Sequence, residues 1–568
     1  MKTFWTTFYS YKGGVGRSLA LANVAALLVR RGHRVVLLDF DLEAPGLDTF
    51  AEFADAKGKA GIIEYVAEFQ RQQSAPDIAQ FVHSVSLPEF LRGKLWIMPA
   101  GRKDSAYNRL LAKTRWADLY EEGLGVPFVE NWKLSVEQAF HPDYVLIDSR
   151  TGLTEVGGVC TTAFPDLVVM LFGLNEQNIE GTATVARHIR EANLERPPQL
   201  HFVATPIPNL PPDKKGLLRE RIETAEKTLG IEVGSNSIRY WPPAALTERL
   251  FVLDDSFREP GLVQDHNSLC DKITDFNRNG LDFLSSQSEV AIKADDVEIA
   301  GRLAAVLAAE FSDRPEAVFL RSRLARLDDS IGNAVQLAEQ AFALDPVYEP
   351  PFEFLRAHYR RARQIEQIEA MCERALSRPQ RLSRSRRSSV LLVLAELRMS
   401  LGKHQQAAQH FKEVFECLPS GEERPPLLTL VHQFNVAESA RRAGQLVPLG
   451  IWKEIIAIFE SFPVADGTPM IIANRHEAMH IPYALTGDIV NALDCLRKAK
   501  RIAELVNDLE PLFSVRDYKH VSRAEFRAVN DELSAALERG QLWDGTKLPM
   551  SEKSETAETK EEHSSLKG

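Results

Sequence analysis

Ser10-Tyr11-Lys12-Gly13-Gly14-Val15-Gly16-Arg17-Ser18 lies between an apolar run, Thr3 to Tyr9, and a helix-like run, Leu19 to Arg31. A strand, a glycine-rich loop and then a helix make a phosphate cradle. Gly13, Gly14 and Gly16 permit backbone angles that side chains forbid, so N–H groups can turn toward phosphate oxygens. The following helix adds its positive end to that anion site. Ser18 is placed for its hydroxyl to reach Mg²⁺. The expected ligand is therefore a nucleotide polyphosphate. A glycine loop standing alone is also compatible with a tight turn, so the rest of the chain has to decide.

Two further stretches bear on it. Arg34-Val35-Val36-Leu37-Leu38-Asp39-Phe40-Asp41 reads as a buried strand ending in two carboxylates. Tyr144-Val145-Leu146-Ile147-Asp148-Ser149-Arg150-Thr151-Gly152 reads as another, with one terminal Asp. An Asp at a strand end is often only a solvated terminus. Three such motifs in this chain order fit a nucleotide site better.

The loop departs from the common pattern G-x-x-x-x-G-K-[ST], because Tyr11 holds the first Gly position and Arg17 the Lys position. With its early lysine it resembles the deviant Walker ATPases of the ParA/MinD family. The resemblance implies an ATPase that hydrolyses ATP with Mg²⁺ and dimerises on ATP. In it Lys12 reaches the partner's nucleotide and Asp41 orients the attacking water. Asp39 lies near the metal, Asp148 holds Mg²⁺ with Ser18, and residues 12–19 (Lys12, Gly13, Gly14, Val15, Gly16, Arg17, Ser18, Leu19) contact nucleotide. Arg17 and Leu19 are departures from that family; Arg binds phosphate as a planar fork rather than a point charge. The segment after Asp148 is expected to be a switch loop.

Further strand runs follow at Leu95 to Pro99, Leu167 to Leu171, His201 to Thr205 and Ile238 to Pro243. The resemblance makes Pro206 and Pro242 candidates for base contacts, and a plain loop role stays open for each. The expected fold over 1–284 is a doubly wound, mostly parallel α/β sheet of the P-loop NTPase type.

After about Ser285 strand runs give way to alanine-rich helical pairs. Closing prolines at Pro346, Pro379 and Pro419 recur near the tetratricopeptide period of about 34 residues. With 285–312 as a connector, 313–545 resembles degenerate tetratricopeptide repeats, an all-α array whose groove would bind a protein partner; an unrelated helical bundle is the alternative. The polar stretch 546–568 is expected to be a disordered tail.

Net charge of −11 argues against nucleic acid as partner, although a local basic patch can override a total. Arg378, Arg381, Arg384, Arg386 and Arg387, with Arg356 to Arg363 upstream, are such a patch or else a solvated loop. Five scattered cysteines and no signal-like layout point to a reducing cytoplasm. No apolar run suffices to span a bilayer, and no basic amphipathic tether is visible. His476-Glu477-Ala478-Met479-His480 matches the zinc pattern H-E-x-x-H, but Pro482 is expected to stop that helix at once. The overall expectation is an ATP-dependent switch that acts as a homodimer. ATP-bound and reset forms would alternate while the repeats hold a protein partner, as in bacterial signalling or conflict systems that pair these modules. The alternatives are a DNA-partition ATPase and a nucleotide-binding scaffold with little turnover.

Overall fold

The computed structural model describes residues 2–549 except 89–90, 115–124, 193, 195, 235, 255–256, 258, 329, 418–425, 462–467 and 508–511. Most of the expected tail (from 550 on) and Pro419 lie outside the described residues. Contacts divide the chain into two compact units, Met1–Leu344 and Asp345–Gly568. Composition changes near Ser285, where strands give way to helices, whereas this division falls sixty residues later.

The first unit is built on an eight-stranded sheet. Its strands are β1 (Phe4–Tyr9), β2 (Arg34–Asp39), β3 (His83–Ser84), β4 (Lys94–Met98), β5 (Tyr144–Asp148), β6 (Leu167–Phe172), β7 (Gln199–Ile207) and β8 (Ser237–Arg239). The order is β3-β4-β2-β5-β1-β6-β7-β8, parallel throughout except for β3 against β4. Strands β1, β5 and β6 are buried along their whole length, which is why they read as unbroken apolar runs.

Both faces are covered. Helix Arg17–Arg30 is apolar on nearly every side because it is sandwiched between the sheet and helix Pro260–Phe276. The opposite face packs Trp5, Val145 and Ile147 against Trp132, Phe164 and their neighbours. The expected doubly wound α/β architecture is present.

The same unit takes in helices Leu281–Ala294, Val297–Glu310 and Pro315–Leu324, which share a small core around Leu284, Leu307 and Leu320. A buried charge cluster anchors them at the amino ends of the strands. His33 Nε2 lies 2.9 Å from Asp282 Oδ2. Arg314 donates to Asp143 Oδ2 at 2.8 Å and to the Gly32 carbonyl at 2.7 Å.

The second unit is mainly helices that pack on their chain neighbours, such as Arg384–Ser400 on His404–Cys417 and Pro469–Leu485 on Ile489–Ala503. Gly402, Gly444 and Gly487 take left-handed backbone angles where helices end. A two-stranded antiparallel hairpin, β9 (Leu512–Ser514) with β10 (Lys519–Val521), adds an element that the helical pattern did not announce. Helix Pro469–Leu485 also runs through Pro482 instead of stopping there. Pro482 sits in the last turn, so at most one backbone bond near the helix end is lost, and its own carbonyl accepts Thr486 N–H at 3.0 Å. Among the described residues no helix is long and apolar enough to cross a membrane.

Candidate functional site

Parallel strands bring their carboxyl ends to one edge, and register decides which side chains meet there. Phe8 pairs with Asp148, and Asp148 pairs with Asp39 on its other side. The glycine loop, the Asp39–Asp41 turn and Asp148 are thus neighbours because β5 lies between β1 and β2.

Within the loop, Gly14 and Gly16 have φ of +80° and +78°, the left-handed region where a side chain is strained. Gly16 caps helix Arg17–Arg30, its carbonyl taking the first helical N–H from Ala20 at 2.9 Å. Buried Thr205 on β7 braces the loop by donating its hydroxyl to the Val15 carbonyl at 3.2 Å. Thr205 was not expected from the chain's motifs; its signal was a hydroxyl at the end of a buried strand.

Behind the loop sits a compact charge cluster. The Ser18 hydroxyl donates to Asp148 Oδ2 at 2.5 Å. Arg17, only 7% exposed, donates through Nε to Asp148 and through Nη2 to Asp41 Oδ2 at 2.8 Å. Burial works against the Arg17 charge, but Asp148 and Asp41 outweigh it and raise its pKa further. Burial raises Asp148 above the usual carboxylate range, with Arg17 and Ser18 opposing. Asp39 is held well above that range by burial and by the nearby Asp148. Its two oxygens accept the Leu47 and Asp41 amides at 3.2 and 3.3 Å, so this carboxylate braces the turn after β2.

Two adjoining cavities share Gly14, Gly16, Ser18 and Leu19. One, of about 390 Å³, is bordered by Arg17, Asp41, Glu43, Arg150 and Thr151. The other, of about 410 Å³, is bordered by Phe50, Thr205, Pro206, Tyr240, Trp241 and His266 among others. A polar chamber beside an apolar one suits a polyphosphate carrying an aromatic base. Pro206 borders the apolar chamber. Pro242 does not; its neighbours Tyr240 and Trp241 do. Lys12 is exposed.

Hydroxyl and carboxylate oxygens suit Mg²⁺, a hard cation. Burial also leaves Asp148 and Asp39 short of compensating charge. Among the described residues no three His, Cys, Asp or Glu side chains group as a metal site; of the expected ligands Ser18 and Asp148 meet directly, whereas Asp39 accepts the Leu47 and Asp41 amides. That fits a cation completed by phosphate and water.

Between His476 and His480, the glutamate expected as general base is committed elsewhere. Glu477 is fully buried and accepts Ser514 Oγ at 3.1 Å and Val515 N–H at 2.8 Å. It holds hairpin β9–β10 in place. The arginine-rich stretch is likewise structural in part: Arg386 pairs with Glu349 and Glu353, each at 3.0 Å, and Arg381 with Asp345 at 3.2 Å.

Among solved structures the chain is similar to the MinD cell division protein of Aquifex aeolicus, at 17% identity and TM-score 0.34, over 48% of this chain and 97% of that one. It is similar to MinD of Pyrococcus horikoshii, solved with Mg-ADP, at 16% identity and TM-score 0.35, over 49% and 98%. Apo McdA of Cyanothece shares 13% identity at TM-score 0.37, over 48% and 100%. No curated protein matches. Residues 5–120 match the family model described as "ParA: NUBPL iron-transfer P-loop NTPase", so this stretch of the chain is similar to a P-loop NTPase of the ParA type.

Proposed function

We propose that this chain is an ATP-dependent switch in which Mg-ATP closes two nucleotide domains face to face and slow hydrolysis reopens them. The carrying observation is the register-set meeting of the glycine loop, Ser18, Asp148 and Asp41 at the carboxyl ends of β1, β5 and β2. Loop amides and the amino end of helix Arg17–Arg30 bind the phosphates. Ser18 and Asp148 would hold Mg²⁺, which when bound neutralises phosphate charge. Asp41, the most exposed carboxylate of the cluster, takes the role of orienting water. Lys12, which is exposed, reaches the second copy. The helices of the second unit offer a surface to a protein partner, in keeping with a signalling or defence role.

One observation favours a second reading. The Arg17 guanidinium is engaged by Asp148 and Asp41, the two residues that hydrolysis needs free. A chain that never releases it would be a nucleotide-binding scaffold with little turnover. DNA partition has less support, since Arg381 and Arg386, two of the arginines expected to form a basic patch, pair with carboxylates.

Sedimentation with ADP, ATP and a non-hydrolysable analogue tests the proposal. A dimer that forms with ATP or the analogue and is abolished by Lys12→Ala supports it; equal dimerisation without nucleotide removes its mechanism. Phosphate release separates switch from scaffold. Turnover lost in Asp41→Ala supports the switch, and equal near-zero rates in both proteins support the scaffold.

A further inference from the structure

Lys12 has one close interaction with the rest of the described chain. Its ammonium lies 5.8 Å from the centroid of the Tyr11 ring, within cation–π range. The ring itself is seated. It is half-buried against the core that includes Tyr9 and Ile179. It lies over Gly181 in helix Glu176–Glu191, so closely that a Cβ on Gly181 would fall 2.1 Å from Tyr11 Cδ1 and 2.3 Å from Cε1.

Gly181 is inside regular helix, where Gly is less stable than Ala by about 1 kcal/mol. Its backbone is not in the left-handed region, so conformational freedom does not explain it. Space does: the glycine is a notch cut for an aromatic ring. On the other side, the loop after Asp148 is tied to the same strand, with the Tyr9 hydroxyl donating to the Gly152 carbonyl at 3.1 Å.

We propose that Tyr11, seated in the Gly181 notch, is a positioning residue that holds Lys12 poised to cross to a second copy's phosphates. This rests on the dimeric switch reading above. Nucleotide binding within one copy uses the loop amides and should not need the ring. Closure of two copies uses two poised lysines and should.

The experiment measures two things for each protein: ATP affinity by titration calorimetry at low protein concentration, and the dimer dissociation constant with a non-hydrolysable ATP analogue by sedimentation. Tyr11→Leu should weaken the dimer roughly tenfold, since two lysines lose a ring each, and leave ATP affinity within about twofold. Tyr11→Phe keeps ring and packing and should dimerise like wild type. Gly181→Ala should repeat the Tyr11→Leu signature, because the added methyl evicts the ring; if that variant fails to fold, the two Tyr11 variants decide alone. The proposal is overturned if Tyr11→Leu dimerises like wild type while Lys12→Ala does not. It is also overturned if Tyr11→Phe is as weak as Tyr11→Leu, or if ATP affinity falls in step with dimerisation. Normal dimerisation of Lys12→Ala would instead sink the switch reading itself.

Discussion

Arg17→Met removes a buried guanidinium and keeps most of its stem. Asp148 is fully buried and Asp41 is 17% exposed, so the lost charge strands one interior carboxylate with Ser18 as its remaining side-chain donor. Breaking a buried ion pair from one side costs about 3–5 kcal/mol. Asp41 keeps contact with water and Asp148 can take up a proton, so the lower end, about 3 kcal/mol, is expected at neutral pH. The pH dependence has a definite sign. Burial makes Asp148 bind its proton more tightly folded than unfolded, with Arg17 the largest opposing influence. A carboxylate raised in this way favours the fold at low pH and loses that contribution as pH climbs through its folded pKa. Removing Arg17 raises that pKa further. The stability deficit of Arg17→Met should therefore be small at about pH 4 and grow toward about pH 7. Urea unfolding of both proteins at several pH values reads this directly, and adding Asp148→Asn should restore most of the loss. Equal stabilities at neutral pH, or a deficit as large in acid, would refute the reasoning.

Gly16→Ala meets no atom within 4 Å of its new Cβ, so its cost is backbone strain alone, about 1–2 kcal/mol, with weakened ATP binding in calorimetry. Unchanged stability and affinity would contradict the left-handed loop. Burial disfavours the His33 charge, but the carboxylates of Asp143 and Asp282 beside it prevail and raise its pKa from 6.5 to about 9. Its stabilisation is complete below the unfolded value and lost as pH rises through about 9, on the order of 3 kcal/mol. Chemical unfolding of His33→Gln should be flat across that window where wild type falls. Burial raises Glu477 to about 7, so wild type should lose stability as pH climbs from 4.5 toward that value. Glu477→Gln keeps an acceptor for Val515 N–H and should remove the slope; an unchanged slope in thermal melts would reject the assignment.

The motifs at the carboxyl ends of β1, β2 and β5 were legible because buried parallel strands leave continuous apolar runs with punctuation at their ends. Their adjacency was not, since Asp39 meets Asp148 only because β5 inserts between β2 and β1. Arg17 was read as a phosphate ligand from its position; its partners Asp41 and Asp148 are distant in sequence and emerge only on folding. Strand β3, with two residues, and hairpin β9–β10, with three in each strand, are too short to carry a period. Composition marked the onset of helices near Ser285 but not where they pack. Asp282 and Arg314 join them to His33 and Asp143 through charges whose pairing no local pattern encodes. Nothing local to Gly181 announces the Tyr11 ring that lies over it.

Titration of Mg-ATP into the purified full-length chain tests the central claim most directly. The account expects saturable binding at one site per chain, lost when Gly14→Val blocks the loop. Absence of saturable heat in the wild-type chain, with magnesium present, would contradict it.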